Sequence, residues 1–110
     1  KLGNLTAIID NNNGQIDGHV TEIMNLAPLK DKWQAFNWHV QEIDGHSIEA
    51  ILGALENTNR DPGTPHAIIA RTVKGKGVSF MENNIGWHGV TPNPEETERA
   101  IKELKRGGTI

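Results

Sequence analysis

Apolar residues occur in short runs, and along the chain runs with the spacing of a strand alternate with runs that have the spacing of a helix. This alternation restricts the fold more than any other feature of the sequence. Three runs have strand character, at residues 5–9, 38–43 and 67–70, and the first and last of them are predicted to be buried strands. Between them, residues 28–36 and 48–55 place their apolar side chains on one helical face. Strands and helices that alternate in this way predict an α/β fold, in which helices flank a parallel sheet.

The carboxy-terminal third is predicted to hold a long loop and a well-marked helix. Residues 73–92 have no regular spacing and contain four glycines, and loops of this length in compact domains are usually functional or mobile. A capping-box pattern over residues 93–96 begins a helix that carries basic residues near Arg106 and ends at the glycines 107 and 108. The complete predicted order is β-α-β-α-β-loop-α.

Two unusual segments, Asp10–Gly18 and Val73–Gly89, each follow a predicted strand directly. Parallel sheets bind ligands in the crevice beyond the carboxyl ends of their strands. Since both segments begin at such ends, we expect them to lie on the same edge of the sheet. The sequence therefore predicts a ligand site that these two segments build together.

The residue types in these segments leave several chemistries open. Residues 10–14 (DNNNG) offer the oxygen ligands that Mg²⁺ and Ca²⁺ prefer, but asparagine and glycine are equally typical of a turn. Residues 74–77 (KGKG) could hold an anion or form a solvated basic loop. His88 lies between Trp87 and Gly89 and is either a surface residue or a group for proton transfer or ligand contact.

Composition excludes several classes of protein. The chain has 110 residues, which fits one small domain, and a formal net charge of -3, which argues against a general nucleic-acid binder. No apolar run approaches the roughly 18 residues of a membrane span. The absence of cysteine excludes disulfides and cysteine-ligated metals, and it is compatible with a reducing, cytoplasmic setting.

Three segments together resemble transketolase. Residues 8–19 (IIDNNNGQIDGH) are similar to the second half of the thiamine-diphosphate motif, and residues 72–78 (TVKGKGV) and 87–89 (WHG) follow in the family's order. The resemblance covers essentially the whole chain and is strongest to the amino-terminal subunit of split transketolases. It implies that residues 1–110 form the carboxy-terminal portion of a thiamine-diphosphate-binding domain of the pyrophosphate type.

The resemblance also implies a cofactor and its ligands. In the family, Mg²⁺ holds the diphosphate of thiamine diphosphate and takes an asparagine side chain and a backbone carbonyl two residues later. These positions match Asn12 and Gly14, although Asn11 would also offer an amide. Lys74 matches a family lysine near the cofactor. His88 matches a histidine that contacts both cofactor and sugar, which makes it the candidate for catalysis and substrate binding.

The implied reaction transfers a two-carbon ketol unit from a ketose phosphate to an aldose phosphate. The implied partners are the sugar-phosphate substrates and a carboxy-terminal transketolase subunit or domain, in a dimer or heterotetramer, with no nucleic acid or membrane. Two other interpretations are a non-catalytic assembly module of the same fold and a related thiamine enzyme such as deoxyxylulose-phosphate synthase. The triplet at residues 87–89 favours transketolase over the latter.

One departure from the family pattern affects the expected activity. The family's upstream Gly-Asp-Gly, which supplies an aspartate to Mg²⁺, is not among the 110 residues. We therefore expect this chain to be a piece of a larger domain, to bind the cofactor weakly or not at all by itself, and to be inactive alone. We also expect the first strand, which would be interior in a complete sheet, to present an apolar edge that favours association.

Overall fold

The computed structural model describes residues 1–60 and 63–107. Part of the predicted turn at residues 61–65, and the second glycine of the predicted helix stop at 108, lie outside the described residues. The strands are β1 (Thr6–Asn11), β2 (Gly14–Gln15), β3 (Gly18–His19), β4 (His39–Asp44) and β5 (His66–Arg71). The helices are α1 (Val20–Ile23), α2 (Leu29–Ala35), α3 (Ile48–Asn57) and α4 (Pro94–Arg106), with 3₁₀ turns at Thr58–Arg60 and Ile85–Trp87.

The chain divides into two compact units. The first unit contains residues 1–11 and 24–72, and the second contains residues 12–23 and the chain from residue 73 onward. The first unit holds the three long strands, whereas the second holds the loops that the sequence singles out for ligand binding. The mixed α/β fold with a parallel sheet and flanking helices confirms the predicted fold class.

The sheet of the first unit has the strand order β1-β5-β4, and both pairs are parallel. The central strand β5 forms the core, since residues 66–70 are all buried. Continuous apolar sequence without alternation is typical of a strand that is covered on both faces. At their carboxyl ends β1 and β5 finish in register at Asn11 and Arg71, and the side-chain hydroxyl of Thr72 donates a hydrogen bond to Asp10.

The first strand differs from its prediction in burial. The sequence run LTAII suggests a buried strand, but in the described sheet β1 lies at an edge, and Ile8 is 62% exposed. The reason is that burial depends on what packs against a strand, and only β5 pairs with β1 in the part of the chain that the structure describes. The predicted apolar edge is therefore present.

Helix α3 forms where the sequence predicts a helix, and it packs beside β4. The Ser47 side chain accepts a hydrogen bond from the backbone amide of Ala50 at 3.2 Å, which caps the helix start. The Gln41 side chain of β4 donates to the carbonyl of Ala54 at 3.0 Å, and Ala54 is buried. These bonds fix the helix against the strand, while Leu52 on the same helix remains 55% exposed.

In the second unit, the segment predicted as a plain loop contains regular structure. Strands β2 and β3 form a short antiparallel hairpin, and α1 follows it. Asn13 starts this arrangement with a positive φ of 57°, and its side chain accepts a hydrogen bond from the amide of Thr21 at 3.2 Å. Asparagine tolerates this backbone region better than most residues. Two-residue strands and a four-residue helix are too short to produce a periodic signal.

Helix α4 has the predicted start and end. The Asn93 side chain accepts from the amide of Glu96 at 2.9 Å, and the Glu96 carboxylate accepts from the amide of Asn93 at 2.8 Å. This reciprocal pair is a complete capping box. The helix ends at Gly107, as the sequence predicts. Across the described residues, no helix is both long and apolar enough to cross a membrane.

Candidate functional site

A cavity of about 280 Å³, lined by both polar and apolar side chains, lies inside the second unit, between the hairpin segment and the long loop that follows β5. We call residues 12–18 the asparagine loop and residues 73–89 the lysine loop. The cavity is lined by Asn12, Gly14, Gln15, Ile16, Lys74, Ile85 and His88. All four residues that the sequence singles out for cofactor binding are in this lining, so the two loops enclose one cavity.

The asparagine loop is held in place by its own side chain. The Asn12 side-chain oxygen accepts a hydrogen bond from the backbone amide of Gly14 at 2.8 Å. An amide oxygen has two lone pairs, so this bond orients Asn12 and leaves one lone pair for another partner. Asn11, by contrast, is the exposed last residue of β1 and does not line the cavity.

Gly14 permits a close approach of the two loops. A Cβ atom added to Gly14 would lie 2.9 Å from Cδ1 of Ile85 and 3.9 Å from Cδ of Lys74. A side chain at this position would therefore displace Ile85 and reduce the space that both loops enclose. The absence of a side chain keeps the Gly14 backbone next to the cavity.

Lys74 begins the lysine loop and is half-buried. Its carbonyl accepts a hydrogen bond from the amide of Asn83 at 2.9 Å, which closes the loop on itself. Gly75 has a φ of +74°, and a Cβ there would lie 2.5 Å from the carbonyl oxygen of Met81, so the turn requires glycine. Among the described residues no carboxylate pairs with Lys74, whereas Lys76 lies 3.8 Å from Glu82.

His88 reaches the cavity from the end of a 3₁₀ turn. The Asn84 side chain caps this turn by accepting from the amide of Gly86 at 3.0 Å, and the amide of His88 donates to the carbonyl of Ile85 at 2.9 Å. These bonds fix the backbone of His88, while its side chain is exposed and lines the cavity mouth. An exposed imidazole at a cavity is able to contact a ligand or exchange a proton with it.

Sequence reasoning missed Gln15, Ile16 and Ile85 as lining residues. The Gln15 side-chain oxygen accepts from the amide of Asp17 at 3.2 Å, and its amide nitrogen is buried with no hydrogen-bond partner within the described ranges. No charge or motif marks this glutamine, so only its position beside Gly14 could have indicated it. Ile85 had a usable signal, because it is a branched apolar residue inside a polar, glycine-rich loop.

The lining residues fit a ligand that carries phosphate oxygens and a bound cation. Lys74 supplies a positive charge, Gln15 a free donor, and Asn12 an amide oxygen beside the Gly14 backbone. The described part of the chain has no group of three or more His, Cys, Asp or Glu side chains that could hold a metal ion. Mg²⁺ commonly binds to few protein ligands and completes its shell with water and ligand phosphates, so the Asn12 oxygen and the Gly14 carbonyl would supply part of its shell.

A parallel sheet with flanking helices in the first unit, and a cavity lined by Lys74 in the second, are features of ligand-binding α/β domains. Comparison with known proteins identifies the family within this class. Residues 1–106 match the family model described as "Transketolase, thiamine diphosphate binding domain". This chain therefore belongs to the transketolase thiamine diphosphate-binding domain family, which confirms the resemblance seen in the sequence.

Individual relatives agree with this assignment. The chain is 44% identical, over 98% of its length, to the 6-deoxy-6-sulfo-D-fructose transketolase subunit SqwG of Clostridium sp. (strain MSTE9), of which it covers 39%. It is 42% identical, over 94% of its length, to an apulose-4-phosphate transketolase subunit of Phocaeicola vulgatus, of which it covers 37%. The chain thus spans about two fifths of the length of these curated relatives.

A solved structure gives the same result for the fold. The transketolase of Campylobacter jejuni superposes on 96% of this chain with a TM-score of 0.86 and 32% sequence identity. The match covers 16% of the Campylobacter chain. The fold comparison therefore agrees with the family match.

Proposed function

We propose that this chain contributes part of the cofactor site of a transketolase, which transfers a two-carbon ketol unit from a ketose phosphate to an aldose phosphate. The cofactors are thiamine diphosphate and Mg²⁺. Membership of the thiamine diphosphate-binding family supports this proposal. The observation that carries it is the cavity of the second unit, in which Asn12, Gly14, Lys74 and His88 meet although up to 76 residues separate them in sequence.

In this proposal the asparagine loop binds the metal. The side-chain oxygen of Asn12, already oriented by the amide of Gly14 at 2.8 Å, and the carbonyl of Gly14 are its ligands from this chain. Lys74 offsets the negative charge of the diphosphate, because it is half-buried in the same lining and no described carboxylate neutralises it. A charge-assisted hydrogen bond of this kind is stronger than a neutral one.

His88 is the proposed contact with the sugar and with the reacting end of the cofactor. When bound, thiamine diphosphate supplies a stabilised carbanion, and the protein supplies orientation and electrostatics. His88 is placed at the cavity by a capped 3₁₀ turn, and its exposed imidazole is free to donate or accept a proton at a substrate hydroxyl.

We propose further that the reaction requires other chain segments. Residues 1–110 supply a portion of the thiamine diphosphate-binding domain, and a carboxy-terminal transketolase subunit or domain completes the enzyme in a dimer or heterotetramer. The Clostridium and Phocaeicola relatives are named as subunits, and this chain covers only about two fifths of each. The substrates are sugar phosphates as a class.

The decisive experiment is a calorimetric titration of the intact protein, together with any subunit it assembles with. Thiamine diphosphate is titrated in Mg²⁺ and in EDTA, and thiamine without phosphates serves as the matched ligand. We expect binding that needs both the diphosphate and the metal, and that weakens in His88→Ala but not in His46→Ala, which alters a histidine of the first unit. Equal affinity for thiamine, or equal effects of the two histidine variants, would contradict the proposal.

Activity is measured on the same preparations. Transfer of a ¹³C-labelled two-carbon unit from a ketose phosphate to an aldose phosphate, followed by NMR, reports the proposed reaction directly. We expect transfer in the complete assembly only when thiamine diphosphate and Mg²⁺ are present. Cofactor binding without any transfer would instead favour an assembly module of the same fold.

A further inference from the structure

Trp87, the residue before His88, is fixed by one neighbouring aromatic residue. Its indole N–H donates a hydrogen bond to the carbonyl of Phe80 at 3.0 Å. The two rings also touch edge to face, with centroids 5.5 Å apart and planes at 61°. Because the indole makes a polar and an aromatic contact with the same residue, Trp87 cannot turn without losing both.

Phe80 is in turn attached to helix α4. The guanidinium carbon of Arg99 lies 4.5 Å from the centroid of the Phe80 ring, a distance at which a cation and an aromatic face attract. The preceding residue, Ser79, donates two hydrogen bonds to the Glu103 carboxylate, from its amide at 2.6 Å and from its hydroxyl at 2.9 Å. Arg99 and Glu103 are four residues apart, so both contacts come from one face of α4.

We propose that Phe80 is a positioning residue for His88, which it acts on through Trp87. The role of His88 in ligand binding rests on the proposed function. The contacts by which Phe80 holds Trp87, and so the backbone of His88, do not. His88 has an exposed side chain, so its position depends on its backbone, and this backbone follows directly from Trp87. Holding a ligand contact in place before binding lowers the entropy lost when the ligand binds.

This arrangement gives α4 a role that its sequence does not suggest. The helix contributes none of the lining residues of the cavity. It nevertheless holds the Ser79–Phe80 corner by the two hydrogen bonds from Ser79 to the Glu103 carboxylate and by the contact of Arg99 with the Phe80 ring. Because Phe80 contacts Trp87, the position of α4 affects the position of Trp87 and of the lining residue beside it, His88.

The first test measures the position of His88 without any ligand. Histidine ring signals are recorded by ¹H–¹³C NMR on the intact protein, and His88→Ala identifies the signal of His88. Phe80→Leu removes the aromatic face at similar size and should shift the His88 signal more than that of His46, while Phe80→Tyr should restore it. An unchanged His88 signal in a folded Phe80→Leu protein would overturn the proposal.

A second variant keeps the test decisive if Phe80→Leu does not fold. Arg99→Met removes the cation over the ring but keeps a helix-forming side chain of similar length. It should move the His88 signal in the same direction by a smaller amount, whereas Lys102→Met on the same helix should not. Equal effects of the Arg99 and Lys102 variants would also overturn the proposal.

The last test is a double-mutant cycle on the dissociation constant of thiamine diphosphate with Mg²⁺. Phe80→Leu should weaken binding about threefold to tenfold, Phe80→Tyr should restore it, and Phe80→Leu should add nothing once His88→Ala is present. An additive effect would show a structural role that bypasses His88 and would contradict the proposal. If His88→Ala alone has no effect, the proposed function of His88 fails, and the NMR shifts alone then decide the positioning role.

Discussion

Asn11 and Asn12 are adjacent and of the same residue type, but their surroundings in the structure differ. Asn12 lines the cavity and is oriented by the amide of Gly14, whereas Asn11 ends β1 with an exposed side chain. Asn12→Ala should therefore raise the Mg²⁺ concentration needed for cofactor binding by about tenfold or more, and Asn11→Ala should leave it nearly unchanged. Titration with thiamine diphosphate over a series of Mg²⁺ concentrations measures this difference.

A conservative variant separates metal binding from local structure at the same position. Asn12→Asp keeps an oxygen for the amide of Gly14 and adds a negative charge, so it should bind Mg²⁺ at least as well as asparagine does. If Asn12→Asp failed as completely as Asn12→Ala, the proposed metal contact through this side-chain oxygen would be contradicted. If Asn11→Ala were the damaging change, the metal ligand would be the neighbouring residue.

Lys74 and Lys76 form a second matched pair in the lysine loop. Lys74 lines the cavity and pairs with no carboxylate of the described residues, while Lys76 lies 3.8 Å from Glu82. Lys74→Met should weaken thiamine diphosphate binding about tenfold or more, since a hydrogen bond to a charged group contributes roughly 1.5–3 kcal/mol. Lys76→Met should have little effect, because exposed ion pairs contribute little.

The ionic-strength dependence of the same titration provides an internal check on Lys74. If Lys74 contacts the diphosphate, added salt should weaken binding, because it screens the attraction between the lysine and the phosphate charges. Lys74→Met should reduce this salt dependence. A Lys74 variant that binds as tightly as the unaltered protein, with the same salt dependence, would rule out the proposed contact.

At the residue scale, the sequence indicated most of the residues that line the cavity, but not the contact of Ile85 with Gly14 that brings the two loops together. Asn12, Gly14, Lys74 and His88 were found because their residue types and order resemble a family pattern, and the structure brings them into one cavity. Gln15 and Ile85 were missed because their contribution is geometric. Ile85 contributes because it lies close to Gly14, which has no side chain and is 71 positions away in the sequence. No local sequence pattern encodes such a contact.

At the scale of elements, the contact between α4 and the lysine loop predicts a pH dependence. The pKa of the Glu103 carboxyl is lowered, first by the hydrogen bond from the backbone amide of Ser79 and then by the one from its hydroxyl. A carboxyl whose pKa is lower in the folded state stabilises the fold fully above its unfolded pKa of about 4.3. This stabilisation is lost as the pH falls through the lower, folded-state value.

Measurement of the free energy of unfolding against pH tests this assignment. Glu103→Gln should be less stable than the unaltered protein near neutral pH, and the difference should shrink as the pH falls below about 4. Glu98→Gln on the same helix is the control, because Glu98 is exposed and makes no such contact with Ser79. A constant difference between the Glu103 variant and the unaltered protein at every pH would show that ionisation of Glu103 does not matter.

The elements that sequence patterns predicted well are those whose causes are local. Helix α4 has its capping box at Asn93 and its end at Gly107, because capping depends on residues a few positions apart. The central strand β5 was recognised by its continuous apolar run. The hairpin after β1 was missed, because its strands are two residues long and the backbone of Asn13, not periodicity, sets its course.

At the scale of the whole molecule, the sheet of the first unit has an apolar edge. Strand β1 pairs only with β5 in the described sheet, and Ile8 is 62% exposed. Such edges favour pairing with another chain unless something covers them. We therefore expect this 110-residue chain to self-associate at high concentration, and Ile8→Lys to reduce the association, as measured by light scattering. A monodisperse monomer of the unaltered chain would contradict this expectation.

The burial of β1 also shows what local sequence cannot predict. Its apolar run is as continuous as that of β5, yet one strand is exposed on an edge and the other is the core. The difference comes from neighbours and not from the strands themselves. Within the described residues only β5 pairs with β1, whereas β5 pairs with a strand on each side.

The ligands that this chain offers to Mg²⁺ determine its expected affinity for the proposed cofactor. From this chain, a bound Mg²⁺ would take an oxygen of Asn12 and the carbonyl of Gly14, and the described residues hold no cluster of three His, Cys, Asp or Glu side chains that could add to them. Mg²⁺ requires nearly octahedral coordination and releases its water reluctantly. Calorimetry on the 110-residue chain with thiamine diphosphate and Mg²⁺ should therefore detect only weak binding or none. The intact protein, with any partner it assembles with, should bind under identical conditions. A micromolar dissociation constant for the 110-residue chain would show that its two loops form a sufficient cofactor site by themselves.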